Sequence, residues 1–237
     1  DTGEATVTPA TLTFSTGNWN SAQTVTVTGV DDDIVDGSVN TAITISVNDA
    51  SSDDSYDSLG NSTVTAATAD NDNAGFTVAE SSGSTAVTEA GGTDSFTVVL
   101  DKAPLTDVVL TVTSGDTGEA TVSPANLTFT SGNWDSAQAV TVTGADDSAL
   151  DGTVSSTITV AVNDGSSDDA FDSVADDTLT VTTTDNDSAG YTLSKTTATV
   201  TEAGGTDTFT VVLDAQPDSD VWFTITSGDT GEATVSS

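Results

Sequence analysis

One heptapeptide, DTGEATV, occurs three times in this chain of 237 residues, at 1–7, 116–122 and 229–235. Its copies are offset by 115 and 113 residues, and longer segments recur with the same spacing, such as TEAGGTDSFTVVLD at 88–101 and TEAGGTDTFTVVLD at 201–214. A period above 100 residues exceeds that of a solenoid coil and indicates whole domains joined in series. The repeat therefore limits the chain to a tandem array, whatever the fold of each unit.

Within each copy, short stretches alternate apolar and hydroxylated residues, as in TVTVTG, STITVAV and TLTVTTT, and no long stretch has helical periodicity. Alternation with period two is typical of half-buried β-strands. Seven short strands in about 110 residues predict an all-β fold of tandem immunoglobulin-like Greek-key β-sandwich domains joined by short acidic linkers. The residues expected to face the core are Phe96, Val98, Leu110, Val112, Phe129, Val140, Val142, Ile158, Val160, Leu179 and Val181.

Two polar DND segments resemble linkers and suggest where one domain ends and the next begins. We expect residues 74–188 to form a complete sandwich, residues 1–73 the C-terminal two-thirds of a preceding one, and residues 189–237 the N-terminal third of the next. Neither fragment buries its sheet faces alone. Two explanations stay open: the chain is a window of a longer array, or partial ends of neighbouring molecules complete each other head to tail.

The composition excludes several functions. Thirty-eight acidic residues face two basic ones, Lys102 and Lys195, and the net charge of −36 repels nucleic acid and anionic membrane surfaces. The absence of Cys and His removes disulfides, ordinary zinc sites and the common nucleophile pairs. No apolar run is long enough to insert into a membrane. Paired carboxylates are the only catalytic groups left, and a repeated unit does not suit a single active site, so no enzymatic activity is expected.

The acids gather in loops and linkers, whereas outward strand positions are mostly Thr and Ser. In chain order, the strands expected in residues 74–188 are FTVAE and STAVTE (A and A′), DSFTVVL (B), DVVLTVT (C), EATVS with LTF (D), AQAVTVTG (E), SSTITVAV (F) and TLTVTTT (G). Strand alternation in a Greek-key sandwich brings the A–B, C–D and E–F loops and the end of strand G to one end of a domain. The F–G loop lies at the other end, facing the preceding domain. Carboxylates a few ångströms apart repel by about 1 kcal/mol per pair in water, so such clusters favour a cation. A solvated acidic surface is the alternative, but it predicts scattered acids.

Calcium suits these clusters, because it takes about 6–8 oxygen ligands in irregular geometry, whereas zinc and copper favour His or Cys. The sequence therefore predicts Ca²⁺ as the bound ion. The predicted ligands are Asp31, Asp32, Asp33, Asp36, Asp70, Asn71, Asp72, Glu89, Asp116, Asp146, Asp147, Asp151, Asp164, Asp168, Asp169, Asp185, Asn186, Asp187 and Glu202.

The segments VTVTGVDDDIVDG, LTF…GNW and DND resemble the Calx-β-type repeats of large bacterial surface proteins. They are also similar to the calcium-binding domains of sodium–calcium exchangers and, more loosely, to cadherin repeats. Asp151-Gly152 replaces a pair of Glu residues of that family, and Ser148 stands where the first copy has Asp33, so the number of ions stays open. The resemblance implies calcium at one tip, bound by Glu89, Asp116, Asp146, Asp147, Asp185 and Asp187.

These patterns predict a secreted, mechanical element: a calcium-stabilised fibre, stalk or adhesin extender at a cell surface or in an extracellular matrix, able to assemble into a filament. Its partners would be calcium and neighbouring repeats of the same chain or head-to-tail copies. The alternative is an array of carbohydrate-binding modules, in which Trp19 and Trp134 of the GNW segments stack on a glycan. A core-covering aromatic at a sandwich corner is the competing explanation of these tryptophans.

Overall fold

The structure, a computed structural model, describes residues 1–235. Within this range strands supply nearly all regular structure, and the helical elements are four 3-10 turns of three residues each. No helix of the described residues is long and apolar enough to cross a membrane. The alternation of apolar and hydroxylated residues thus forms strands, as predicted, because it gives each strand one face that is favourable to bury.

The first copy contains five strands: β1 (Ala5–Thr8), β2 (Thr26–Gly29), β3 (Ile34–Val35), β4 (Val39–Ile45) and β5 (Ser62–Thr68). Four of them form two separate antiparallel pairs, β1 with β2 and β4 with β5, and few residues of these pairs are buried. The short strand β3 pairs with a strand of the next copy instead.

The middle copy forms a sandwich of two sheets. One has the order β11-β13-β8-β6 and the other the order β12-β10-β14-β15-β7, in which only the contact of β7 with β15 is parallel. The strands are β6 (Phe76–Glu80), β7 (Thr85–Thr88), β8 (Thr93–Leu100), β9 (Ala103–Pro104), β10 (Val108–Ser114), β11 (Ala120–Ser123), β12 (Asn126–Phe129), β13 (Gln138–Gly144), β14 (Val154–Val162) and β15 (Asp177–Thr184).

The core lies between these two sheets, and all eleven residues predicted to face it are buried. Phe96 and Phe129, from opposite sheets, are fully buried, and Phe171 joins them from a 3-10 turn between β14 and β15. Full burial of such a side chain contributes about 1.5–3 kcal/mol. The all-β sandwich is therefore confirmed, and the middle copy has a core of its own.

One prediction about strand D needs correction. The segments EATVS and LTF were expected to form one strand, but β11 pairs with β13 in one sheet and β12 pairs with β10 in the other. The chain changes sheets between Ser123 and Asn126: Val122 pairs with Val142 in the first sheet, whereas Leu127 pairs with Leu110 in the second. In the third copy, β16 (Tyr191–Leu193) pairs with β17 (Val211–Leu213).

Candidate metal centre

Four segments of the middle copy meet at one end of its sandwich: the turn after β7, the loop before β11, the segment between β13 and β14, and the segment after β15. Pairing of β11 with β13 places Glu119 beside Ala145, whose N–H donates to the Glu119 carbonyl oxygen at 2.8 Å. The Asn186 N–H donates to Glu89 Oε2 at 3.3 Å. The predicted meeting of the A–B, C–D and E–F loops with the end of strand G is confirmed.

Six carboxylates at this end, which we call the acidic tip, form three overlapping groups. In each group three ligand oxygens lie within 4.8 Å of one another. The groups share members, so that one carboxylate could bind ions at two neighbouring sites. They are Glu89–Asp147–Asp187, Glu89–Asp151–Asp185 and Glu119–Asp147–Asp151.

Glu89 and Glu119 are the buried members of the acidic tip, with exposed fractions of 1% and 7%. Burial raises the pKa of both carboxyls, because the charged form loses hydration. The charge of Asp151 raises the pKa of Glu119 further, whereas the N–H of Asn186 lowers that of Glu89 in part. Two buried acids beside other carboxylates form a site that is favourable only with a positive partner.

Two oxygens of the acidic tip, Glu119 Oε2 and Asp187 Oδ2, are buried and accept no hydrogen bond. Such an orphaned atom costs about 1–3 kcal/mol. Burial, followed by the charges of Asp185 and Asp146, raises the pKa of Asp187. Both oxygens lie among other carboxylates, so a cation is the partner that their surroundings favour.

The donor set fits calcium. Two oxygens bound to one Ca²⁺ lie at most about 5 Å apart, twice the usual 2.3–2.6 Å distance, and the spacing within 4.8 Å meets this limit. All the donors are hard carboxylate oxygens, and neither His nor Cys is available for zinc or copper. Residues of the acidic tip can therefore serve as the protein ligands of a hard divalent cation.

Asp185 shapes the tip through the backbone. Its Oδ2 accepts the Gly152 N–H at 2.9 Å, and its Oδ1 accepts the Asp187 N–H at 2.5 Å. The first copy repeats the arrangement, with the Gly37 N–H donating to Asp70 Oδ2 at 2.8 Å. Both glycines adopt positive φ, near +75° and +73°, which favours Gly over other residues. The DND segment therefore holds the E–F segment in place in both copies.

The first copy places a similar set of acids around a cavity of about 20 Å³, lined by Glu4, Asp32, Asp36 and Asp70. Burial, then the charges of Asp36 and Asp32, raises the pKa of Glu4. The N–H of Asp72 lowers the pKa of Asp70, whose carboxylate accepts it. The structure thus brings together predicted ligands of the E–F and DND segments in this copy as well.

Other predicted ligands lie outside the three-carboxylate groups found in residues 1–235, and their roles as ligands stay predictions. Asp116 accepts the Gly118 N–H at 3.0 Å, and Asp146 accepts a hydrogen bond from the Asn186 side chain at 2.8 Å. Both contacts hold the tip loops in shape. The other predicted ligands outside these groups, apart from those of the F–G loop, are Asp31, Asp32, Asp33, Asp36, Asp70, Asn71, Asp72, Asn186 and Glu202.

The predicted ligands of the F–G loop also lie outside these groups. Asp168 is 7% exposed; its Oδ2 accepts the Thr106 N–H at 2.8 Å and its Oδ1 the Ala170 N–H at 3.0 Å. These bonds hold a 3-10 turn against the strand that follows Thr106. Asp164 begins one 3-10 turn of this loop and Asp169 begins the other.

Glu119 is the residue of the acidic tip that sequence analysis missed, together with its counterpart Glu4. Each lies in the heptapeptide DTGEATV, in which only Asp116 of the middle copy was assigned a role in binding. The signal was a second acid three residues after that Asp. Its proximity to the E–F acids follows from strand pairing and is not visible in the local sequence.

The E–F segment also contacts the next copy. β3 pairs in parallel with β9, and Val35 is buried in the same hydrophobic cluster as the core of the middle copy. At the following junction Ala149 forms a parallel bridge with Gln216. One short segment therefore lies between the carboxylates of one copy and the backbone of the next.

The tryptophans of the GNW segments differ in exposure. Trp134 packs against the core cluster, as expected of a residue covering a sandwich corner. Trp19 is 71% exposed in the first copy. Trp134 is partly buried, and its contact with the core cluster favours the core-covering explanation at this position.

No protein-family model and no curated protein matches the chain. Among solved structures, domains 4 and 5 of the S-layer protein SbsC align with 20% identity over 68% of this chain and 62% of that one, at a TM-score of 0.35. Domains 1–6 of SbsC align with 19% identity over 79% of this chain and 21% of that one, at 0.36.

The E. coli chaperone DraB aligns with 7% identity over 47% of this chain and 57% of that one, at a TM-score of 0.35. Each alignment spans less than two thirds of the matched structure. No function follows from TM-scores of this size.

Proposed function

We propose that the chain is part of a secreted, calcium-rigidified array of β-sandwich domains with a mechanical function, such as a fibre, stalk or adhesin extender. The observation that carries this proposal is the buried, unpartnered Oε2 of Glu119 among the carboxylates of the acidic tip. A scattered acidic surface does not bury such an atom. Calcium bound there would supply the missing positive charge.

The residues that would hold the ion are those of the acidic tip, with Glu89 and Glu119 reaching it from inside the domain and the aspartates from the loops. Without a cation, repulsion among these carboxylates opposes close packing of the E–F segment. With it, Asp147 and Asp151 are fixed at the two ends of a segment that also contacts the next copy through Ala149 and Leu150. Ion binding and domain docking would be coupled through this five-residue segment, 147–151.

Two considerations, the usual affinity of extracellular calcium sites and the net charge of the chain, support an extracellular setting. Calcium sites of extracellular modules have dissociation constants of about 10⁻⁴–10⁻³ M, which external calcium fills and cytosolic calcium does not. The repeated unit and its net negative charge suit an element that spans distance in solution more than one that binds polyanions. Lateral packing of such arrays would give a filament or a sheet.

The test is thermal unfolding of residues 1–237 during a calcium titration, with EDTA and magnesium as references and small-angle scattering on the same samples. At a free calcium concentration of 100 times its Kd, one site stabilises the folded domain by about 2.7 kcal/mol. This gain corresponds to a rise in Tm of roughly 10 °C for a domain of this size. Scattering should show a longer, stiffer particle in calcium. If Tm and shape are the same in calcium, magnesium and EDTA, the proposal is wrong.

Glu119→Gln separates a metal site from general acidity. The amide removes one repelling charge, so Tm in EDTA should equal or exceed that of the unsubstituted chain. The increase in Tm caused by calcium should become smaller. Asp135→Asn is the matched control, because it removes an exposed charge and introduces the residue found at the equivalent Asn20. If both variants keep the full calcium response, Glu119 is not a ligand.

A further inference from the structure

The two junctions between copies share one backbone contact. At the first, the Ala103 N–H donates to the Asp33 carbonyl oxygen at 2.8 Å within the pairing of β3 with β9. At the second, the Gln216 N–H donates to the carbonyl oxygen of Ser148 at 2.6 Å. The repeat offsets align these residues one for one. Both junctions therefore dock the E–F segment on the same site of the following copy.

Their side chains differ in charge. At the first junction Lys102 donates to Asp33 Oδ1 at 2.7 Å and lies 2.5 Å from Asp72 Oδ1. At the second, the position of Lys102 is Ala215 and that of Asp33 is Ser148. Lys102 and Asp33, which are 69 positions apart in the chain, are thus both replaced by small uncharged residues at the second junction.

This replacement changes the charge partner of the last aspartate of the DND segment. The Asp72 side chain is 4% exposed and has the Lys102 ammonium against it. Among residues 1–235 no ammonium group pairs with the equivalent Asp187, and its Oδ2 is buried without a hydrogen bond. One buried carboxylate is therefore neutralised by the following copy, and the other is left with a charge to be compensated.

We propose that Lys102 is a built-in cation that replaces a metal ion at the first junction, so that this junction stays docked without calcium while the second junction requires it. The proposal rests on the function proposed above, since it assigns calcium dependence to one of two junctions. The array would then contain permanently stiff joints and calcium-dependent joints. The identity of the residues at the positions of Lys102 and Asp33 determines which type forms.

The test exchanges the two kinds of junction within residues 1–237. Lys102→Ala with Asp33→Ser copies the second junction onto the first, and Ala215→Lys with Ser148→Asp does the reverse. Because the chain has no cysteine, spin labels can be placed on introduced cysteines at exposed sites. Ser21 with Ser136 spans the first junction and Ser136 with Thr208 the second, and pulsed EPR reports the width of each distance distribution.

In EDTA the unsubstituted chain should give a narrow distribution across the first junction and a broad one across the second, and calcium should narrow the second alone. The exchange should make the first junction calcium-dependent and the second calcium-independent. Equal calcium responses at both junctions would overturn the role of Lys102 but leave the proposed calcium function standing. No calcium response at either junction, in any variant, would overturn both. Circular dichroism of each variant confirms that its sandwich is folded.

Discussion

Val35 offers a direct measure of how firmly one copy docks on the next. It belongs to the first copy, yet it is 8% exposed and lies in the hydrophobic cluster of the middle sandwich. Val35→Ala removes two methyl carbons, each contributing about 0.8 kcal/mol when buried, so the loss is about 1.5 kcal/mol. Incomplete collapse of the resulting cavity would bring it to about 2.5 kcal/mol.

Urea unfolding followed by tryptophan fluorescence measures this loss, because Trp134 packs against the core while Trp19 and Trp222 are largely exposed in the folded chain. The signal therefore reports mainly on the middle sandwich, which the docked segment stabilises. The matched control is Val64→Ala, the same substitution at a side chain that is 55% exposed. It should change stability by less than about 0.5 kcal/mol. If the two variants unfold at the same urea concentration, Val35 does not bind the neighbouring core and the docked junction is refuted.

Three further predictions concern the acids and the aromatic side chains. The raised pKa values of Glu89 and Glu119 mean that the folded chain binds their protons more tightly, so calcium-free stability should fall as pH rises from 4.5 toward neutrality. Tm in EDTA across this range checks the sign, and saturating calcium should weaken or reverse the trend. Asp168→Ala should destabilise the fold by about 1–3 kcal/mol, because it leaves backbone N–H donors unpaired. The calcium Kd measured by calorimetry should stay unchanged, and a higher Kd would show that Asp168 is a ligand. Trp134→Ala should cost about 3 kcal/mol in urea unfolding followed by circular dichroism, whereas Trp19→Ala should cost little, and equal effects would contradict the packing at the sandwich corner.

Much of the fold followed from local pattern. Alternation along strands such as β10 and β14 identified which residues enter the core, since a strand in a sandwich buries every second side chain. Turn residues and acids between strands identified the loops. The repeat itself established that these features describe a unit used more than once, before any contact was known.

The candidate site was only partly visible in the sequence. The E–F and DND aspartates were found because they cluster along the chain, where a local signal exists. Glu119 was missed because it lies 28 residues before Asp147, and the pairing of β11 with β13 brings the two together. Its burial, which makes it the most informative member of the acidic tip, is a property of the closed sandwich.

The sequence by itself determined an all-β tandem array with its acids concentrated in loops, because strand periodicity and loop composition are properties of neighbouring residues. The tertiary structure decided which loops meet, which carboxylate oxygens lose water, and that β3 of one copy pairs with β9 of the next. It also placed Lys102 against Asp33 and Asp72, residues far apart in the chain. Contacts of this kind depend on how whole sheets are arranged, and the local pattern of neighbouring residues does not reveal that arrangement.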